Sequence, residues 1–238
     1  MLDLKLGGGA EAPPRGSDRR EQMNKQDIEN ALTKALEGKG KRKFAQSVDV
    51  IFNFKGIDTA KPENRLNLDV SLPKGRGKDV PVVVFGEQAV ALEGNKAGAK
   101  VVDTAGIPKM AQDKKGTKKL AKEAEFIAAP NMMVLVGKNL GQMLGAHNRM
   151  PRPIVGNVAE AIQMAKNRVR LASRGKYLPT VQCAIGVESM SVPDLEENFE
   201  AVHEKVKGKV GEACIDKVYV KLSMGPAVRV GGSGANSQ

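Results

Sequence analysis

Histidine and cysteine are the side chains that most often hold metals or act as nucleophiles, and this 238-residue chain has two of each. His147 and His203 lie far apart in the sequence, and their spacing does not match that of a pair of metal ligands. Cys183 alternates with apolar residues, which is typical of a buried strand position, and Cys214 falls in an expected helix-to-strand connection. We therefore predict no metal, no cofactor and no catalytic residue, and a structural or solvent-facing role for His203.

Two glycine-containing segments do not match the loops that bind nucleotide phosphates. Gly75-Arg76-Gly77 precedes an expected strand, whereas the glycine loop of a dinucleotide site follows one. The glycines at 94 and 98 are not followed by the Lys-Ser/Thr pair of a nucleoside triphosphate site. Five acidic residues between 194 and 204 fit the polar face of an amphipathic helix. The sequence therefore gives little support to a nucleotide-dependent α/β enzyme, which we keep as an alternative function.

Three short segments carry residue types that suit contacts with RNA. Residues 41–47 (KRKFAQS) run into an expected strand and offer cations for phosphates, one ring, and small polar groups for a ribose 2′-hydroxyl. Residues 221–227 (KLSMGPA) end a strand at a glycine, which permits close approach, beside a soft apolar methionine. Residues 145–153 (GAHNRMPRP) place two arginines in an irregular loop.

The charge balance also points to a polyanionic partner. The chain has 38 Lys and Arg residues against 27 Asp and Glu residues, which gives a formal charge of +11. It has no Trp, 2 Tyr and 6 Phe, so we predict that a nucleic-acid partner would be held by backbone charge and shape more than by base stacking. The cations form four clusters: Lys39, Lys41, Arg42 and Lys43; Lys74, Arg76 and Lys78; Lys114, Lys115, Lys118, Lys119 and Lys122; and Arg168, Arg170, Arg174 and Lys176.

Hydrophobic periodicity predicts two kinds of strand around these segments. In the first kind, apolar residues alternate with other residues, as in a sheet with one covered face. Alternation of this kind occurs at 48–54, 66–72, 181–187 and 218–222. The run 80–85 is continuously apolar, as in a strand covered on both faces, and helices and strands then alternate up to residue 144. Amphipathic helices are predicted over 24–37, 157–168 and 193–207.

The order of these elements predicts the fold class, which combines α/β and α+β parts. A discontinuous α+β domain with an antiparallel sheet (23–77 and 156–231) is interrupted by an inserted, Rossmann-like, three-layer α/β domain (78–155). We expect the glycine- and proline-rich segments 73–78 and 151–156 to join the two domains side by side, which makes a hinge plausible. Residues 1–22 and 232–238 are expected to be a flexible extension and a flexible tail.

On these segments the chain resembles the L-one family of large-subunit ribosomal proteins, and most of all its archaeal branch. The resemblance extends over about 23–230, and the order and spacing of its short motifs make it specific. The motifs are 43–47 (KFAQS), 62–65 (PENR), 72–78 (LPKGRGK), 150–153 (MPRP) and 221–228 (KLSMGPAV). The fold of that family is the interrupted arrangement predicted above.

The resemblance implies that the discontinuous domain binds a folded element of large-subunit rRNA. It also implies that the inserted domain moves with a stalk beside the tRNA exit site and assists release of deacylated tRNA, and that the protein represses translation by binding its own mRNA. Bacterial members carry glutamate where Gln46 stands, and Ala146, His147 and Asn148 replace the Pro-Arg-Gly of many members. Carried over by motif, the RNA-binding residues are Lys43, Phe44, Gln46, Ser47, Lys221, Ser223, Met224, Gly225, Arg149 and Arg152.

The same resemblance implies a protein of the cytoplasmic ribosome that has no catalytic activity and is a monomer when free. No apolar run approaches the ~18 residues that a membrane helix needs, so we expect no membrane partner. A DNA-binding architectural protein is a second alternative, which would need a groove-entering helix or apolar wedges.

Overall fold

The computed structural model describes residues 25–40, 42–57, 66–173 and 178–231. The predicted extension 1–22, the tail 232–238, the motif 62–65 and the basic residues Lys41, Arg174 and Lys176 lie outside the described residues. The helices are α1 (Lys25–Leu36), α2 (Gln88–Lys96), α3 (Gly106–Gln112), α4 (Lys114–Glu123), α5 (Met133–Ala146), α6 (Val158–Asn167) and α7 (Val192–Val210). The strands are β1 (Ser47–Phe54), β2 (Asn67–Ser71), β3 (Val82–Phe85), β4 (Lys100–Val102), β5 (Glu125–Ala128), β6 (Arg152–Pro153), β7 (Arg168–Ala172), β8 (Thr180–Val187), β9 (Ile215–Leu222) and β10 (Val228–Val230).

One part of the chain forms an antiparallel sheet in the order β10-β9-β1-β8. β1 is an inner strand, and its Val50 lies opposite Cys183 of β8 on one side and Val220 of β9 on the other. Buried and half-buried residues alternate strictly along β1, as the sequence predicts for a sheet with one covered face. The buried side chains pack with those of α1, α7 and the antiparallel β2–β7 ribbon in a single core.

The other part forms a parallel sheet in the order β4-β3-β5-β6. All residues of β3 and β5 are buried. Val83 and Phe85 pack with α3, α4 and α5 on one face, whereas Val82 and Val84 pack with α6 and partly buried residues of α2 on the other. Helices on both faces make three layers. The predicted fold class, an antiparallel α+β part and a separate parallel α/β part, is thereby confirmed.

The second boundary between the two parts differs from the predicted one. The proline- and glycine-rich stretch 151–156 predicts a connection there, with residues from 156 onward in the antiparallel part. Instead β6 extends the parallel sheet, and α6 buries Val158, Ile162 and Ala165 against it. Proline and glycine also mark turns within a unit, which is their role here. We propose an antiparallel unit of 25–72 plus 168–231 and a parallel unit of 81–167.

The two connections between these units lie side by side. Leu72, at the start of the first connection, donates its backbone N–H to the carbonyl of Asn167, at the second, over 3.0 Å. Asn198 of α7 is fully buried and donates to the carbonyls of Gly75 and Ile185 (2.9 and 2.8 Å), while its side-chain oxygen accepts from the N–H of Lys74 (3.0 Å). The start of the first connection is therefore fixed to the antiparallel unit.

Gly77 fixes the path of the first connection beside β8. Its φ of +66° is a left-handed conformation that favours glycine, and a Cβ there would lie 2.6 Å from the side chain of Val187. A larger residue would push the connection away from β8.

The short elements α3, β6, β7 and β10 are not predicted from the sequence. The arginines at 168 and 170 were predicted only as part of a basic cluster, but they alternate with the buried Val169 and Leu171 of β7. An alternation of only five residues is a weak signal for a strand, and the neighbouring charged residues obscure it.

The ring of His203 packs against the core of the antiparallel unit. Its ring stacks on those of Phe52 and Phe199, with centroids 6.2 and 6.1 Å apart. Burial, assisted by the positive charge of Lys207, lowers the pKa of His203 below its ordinary value. The folded state therefore resists a proton that the unfolded state accepts, so this histidine reduces stability as the pH falls through about 6.5.

We expect the substitution His203→Gln to weaken the pH dependence of stability. Urea unfolding at about pH 7.5 and about pH 5.5 should give a larger loss of unfolding free energy in the wild-type protein than in this variant. The control His147→Gln leaves the aromatic stack intact and should keep the wild-type difference. Equal pH dependence in wild type and His203→Gln would contradict the assignment.

Candidate RNA-binding surface

The antiparallel sheet brings the first two predicted segments together. β1 begins at Ser47 and β9 ends at Leu222, and because the strands are antiparallel these ends are neighbours. Ser223 donates its backbone N–H to the carbonyl of Ser47 over 3.0 Å, and its hydroxyl donates to the same oxygen over 3.3 Å. Segments more than 170 positions apart in the sequence are thus joined by direct hydrogen bonds.

The side chain of Gln46 holds the turn after β9 in place. It is only 2% exposed, its oxygen accepts from the backbone N–H of Met224 (3.2 Å), and its amide donates to the carboxylate of Glu188 (3.3 Å). The N–H of Glu188 in turn donates to the carbonyl of Gln46 over 2.9 Å. Gln46 was predicted to contact RNA, but its side chain is buried and both of its polar atoms are engaged within the protein. Its role in the structure is to position the turn.

The exposed residues around this turn combine apolar and positive side chains. Phe44 is 53% exposed and Met224 is 60% exposed, although both are large hydrophobic residues. Arg42 and Lys43 are also exposed, directly before Phe44. We call Lys43, Phe44, Ser47, Ser223 and Met224 the β1–β9 surface.

Gly225 and Lys221 shape the border of the β1–β9 surface. Gly225 closes the turn by donating to the carbonyl of Leu222 over 2.9 Å, and a Cβ at this position would lie 3.1 Å from the Cβ of Leu222. Lys221 is half-buried and lies opposite Asp49 in the β1–β9 pairing. Burial raises the pKa of Asp49, and the positive charge of Lys221 opposes that rise.

The third predicted segment lies at the junction of the two units. Arg149 forms an ion pair with the buried Glu125 of β5, and Arg152 forms one with Asp69 of β2. Arg168 of β7 contacts both carboxylates, at 2.9 Å from Glu125 and 3.6 Å from Asp69. None of the contacts among the described residues links Arg149 or Arg152 to the β1–β9 surface. The structure therefore joins two of the predicted segments and separates the third.

The sequence analysis missed the polar residues that position these segments, namely Glu188, Asn198, Glu125 and Asp69. Only Glu125 leaves a signal in the sequence, because it adjoins the apolar run 126–129. In the structure it is the first residue of β5 and is 3% exposed. The others look like ordinary polar residues within a strand (Asp69), directly after one (Glu188) or on a helix (Asn198).

Two further observations concern the residues that the structure describes. Within them, His, Cys, Asp and Glu side chains do not assemble in groups of three that could hold a metal ion. In the same ranges, every helix is too short or too polar to cross a lipid bilayer.

Comparison with known proteins identifies the family. The model of the "Ribosomal protein L1p/L10e family" matches residues 32–226, which is most of the chain. The chain belongs to this family. The predicted resemblance is thereby confirmed, and the chain is a structural constituent of the large ribosomal subunit in the cytoplasm, not an enzyme. The alternative of a nucleotide-dependent enzyme is set aside on this ground.

Curated relatives match nearly their full length. The large ribosomal subunit protein uL1 of Methanothermobacter thermautotrophicus is 40% identical over 209 residues, which cover 86% of this chain and 99% of that protein. The uL1 protein of Pyrococcus abyssi is 39% identical over 219 residues (90% and 99%). That of Thermofilum pendens is 42% identical over 207 residues (85% and 92%). All three organisms are archaea, which agrees with the predicted resemblance to the archaeal branch of the family.

We expect Gln46→Ala to destabilise the turn that carries Met224. The change removes two hydrogen bonds and leaves the carboxylate of Glu188 without this donor, which costs on the order of 1–3 kcal/mol. Urea unfolding should show the loss, and hydrogen exchange should become faster at the N–H of Met224. The control Gln182→Ala removes an exposed glutamine of β8 and should change neither measurement. Unchanged exchange at Met224 in Gln46→Ala would contradict the positioning role.

Proposed function

We propose that this protein binds a folded element of large-subunit rRNA through the β1–β9 surface. The observation that carries the proposal is the hydrogen-bonded contact between Ser47 and Ser223, which presents the exposed Phe44 and Met224 beside exposed cations. Arg42 and Lys43 supply charge for phosphates, and the two apolar side chains supply faces that pack on a sugar or a base. The formal charge of +11 favours the same kind of partner.

The hydrogen bonds of the turn after β9 support this choice of surface. Hydrogen bonds hold the turn after β9 before any ligand arrives, so little conformational entropy is lost when RNA binds. Phe44 and Met224, each exposed by more than half, offer apolar surface that a partner can cover. We propose that the same surface also binds the protein's own mRNA, so that the two RNAs exclude each other, and that the free protein is a monomer.

We expect Phe44→Ala and Met224→Ala each to weaken binding to the cognate rRNA stem by on the order of 1–3 kcal/mol. Filter-binding titration measures the change, and affinity should fall steeply as salt is raised. Met164→Ala is the matched control, because Met164 is 64% exposed but lies on α6 of the parallel unit. Undiminished binding by the Phe44→Ala/Met224→Ala double variant would sink the proposed surface.

We further propose that the parallel unit contacts exit-site tRNA through α4 and in this way assists its release. Thr117 and Ala121 of this helix are buried, and its five lysines (Lys114, Lys115, Lys118, Lys119 and Lys122) are all exposed. None of the ion pairs found among the described residues involves these lysines. A row of cations without carboxylate partners suits the phosphate backbone of a second RNA, because it needs no base-specific contact.

We expect Lys118→Gln/Lys119→Gln to weaken tRNA binding and to reduce its salt dependence. Each lost phosphate contact should lower the slope of log affinity against log salt by about 1. The matched control is Lys205→Gln/Lys209→Gln, which removes two exposed lysines from α7 of the antiparallel unit. An equal loss in both double variants would mean that total charge, and not α4, determines the binding.

A further inference from the structure

Five arginines and two carboxylates meet where the two units join. Glu125 of the parallel unit contacts Arg149 of the same unit, Arg168 of the antiparallel unit (2.9 Å) and Arg76 of the first connection (4.0 Å). Asp69 of the antiparallel unit contacts Arg152 and Arg168. We call this group, together with Arg170, the arginine junction.

Arg170 links the two units in a different way. From β7 of the antiparallel unit, its guanidinium donates to the carbonyl of Asn148 in the parallel unit and, over 2.8 Å, to the side-chain oxygen of Asn67. Neither acceptor carries a charge. Arg170 therefore adds a positive charge to the junction without adding a negative one.

The arginine junction has more positive charge than its carboxylates neutralise. Its five guanidinium groups face two carboxylates, so three positive charges remain within one connected group. Burial, followed by the neighbouring guanidinium groups, lowers the pKa of Arg76, Arg149 and Arg152. A group of arginines that repel one another while partly removed from water is stabilised by an added anion.

The junction is also open enough for an anion to reach it. The side chain of Arg152 is 49% exposed, and those of Arg149 and Arg76 are 26% and 25% exposed. Each guanidinium has five N–H donors, and one or two carboxylate contacts leave donors over. Planar, forked donors of this kind match the oxygens of a phosphate group.

We propose that the arginine junction binds a backbone phosphate of the RNA that the protein holds. Because its arginines come from both units, the phosphate bridges them and favours the arrangement in which they converge. The source of the phosphate rests on the proposed RNA-binding function, whereas the affinity of the junction for a phosphate group does not.

Tripolyphosphate is the probe that tests the affinity of the junction for phosphate groups in the absence of RNA. Isothermal titration of the full chain at constant ionic strength should show binding by the wild-type protein. Binding should weaken on the order of tenfold in Arg152→Gln and in Arg170→Gln, which remove one arginine from each unit. Asp69→Asn should strengthen binding several-fold, because it removes a carboxylate that competes for Arg152 and Arg168. Opposite effects of substitutions at one site cannot come from general loss of structure.

The control is Lys205→Gln/Lys209→Gln, which lowers the net charge by two but leaves the junction and the lysines of α4 intact. It should bind tripolyphosphate like the wild-type protein. Equal weakening in this control, or no effect of Arg152→Gln, Arg170→Gln and Asp69→Asn, would overturn the proposal.

Titration with the rRNA stem forms the second arm. Arg152→Gln should lower its affinity in addition to any effect of Phe44→Ala. If the junction variants change tripolyphosphate binding but leave RNA binding unchanged, the site takes free phosphate and the RNA part of the proposal is wrong. Failure of the Phe44 and Met224 variants to affect RNA binding would instead contradict the β1–β9 surface and leave the phosphate result standing.

Discussion

The pairing of β1 on both of its edges is the constraint on which the antiparallel unit depends. Its partners lie far along the chain: Gln46 meets Glu188 across 142 positions, and Ser47 meets Ser223 across 176. Closing such long loops costs entropy, but the cost grows only slowly with length, and the folded parallel unit takes up much of the intervening chain. The contact between Leu72 and Asn167 brings the ends of that inserted unit close together, so β1 can reach both neighbours.

In the antiparallel unit, the residues exposed on the surface differ from the residue that holds the turn in place. Phe44 and Met224 are exposed, while Gln46 is buried beneath the turn and bonds to Met224 and Glu188. At the arginine junction the separation is incomplete, because the same arginines hold the units together through Glu125 and remain partly exposed. Removal of Glu125 would leave several partly buried positive charges without their shared partner, which is far more costly than loss of a surface ion pair.

Sequence patterns predicted the structural features that depend on residues close together in the chain. Alternation along β1 and the continuous apolar run of β3 distinguished a sheet with one covered face from one with two, and the motifs brought Phe44 and Met224 to attention. The patterns could not predict what depends on a distant partner. The amphipathic pattern of α6 shows that it covers a sheet but not which one, and the burial of Gln46 depends on Glu188 and Met224. The arginines of 145–153 likewise gave no sign of their pairing with Glu125 and Asp69.

The interrupted chain order also determines when each unit is complete during synthesis. All strands and helices of the parallel unit lie between residues 82 and 167, whereas both partners of β1 follow residue 179. At ordinary elongation rates of roughly 5–20 residues per second, β1 waits on the order of ten seconds for its first partner strand. During that interval an apolar strand edge is exposed while a finished domain follows it on the nascent chain. The edges of β1 therefore stay unpaired for longer during synthesis than those of any strand of the parallel unit.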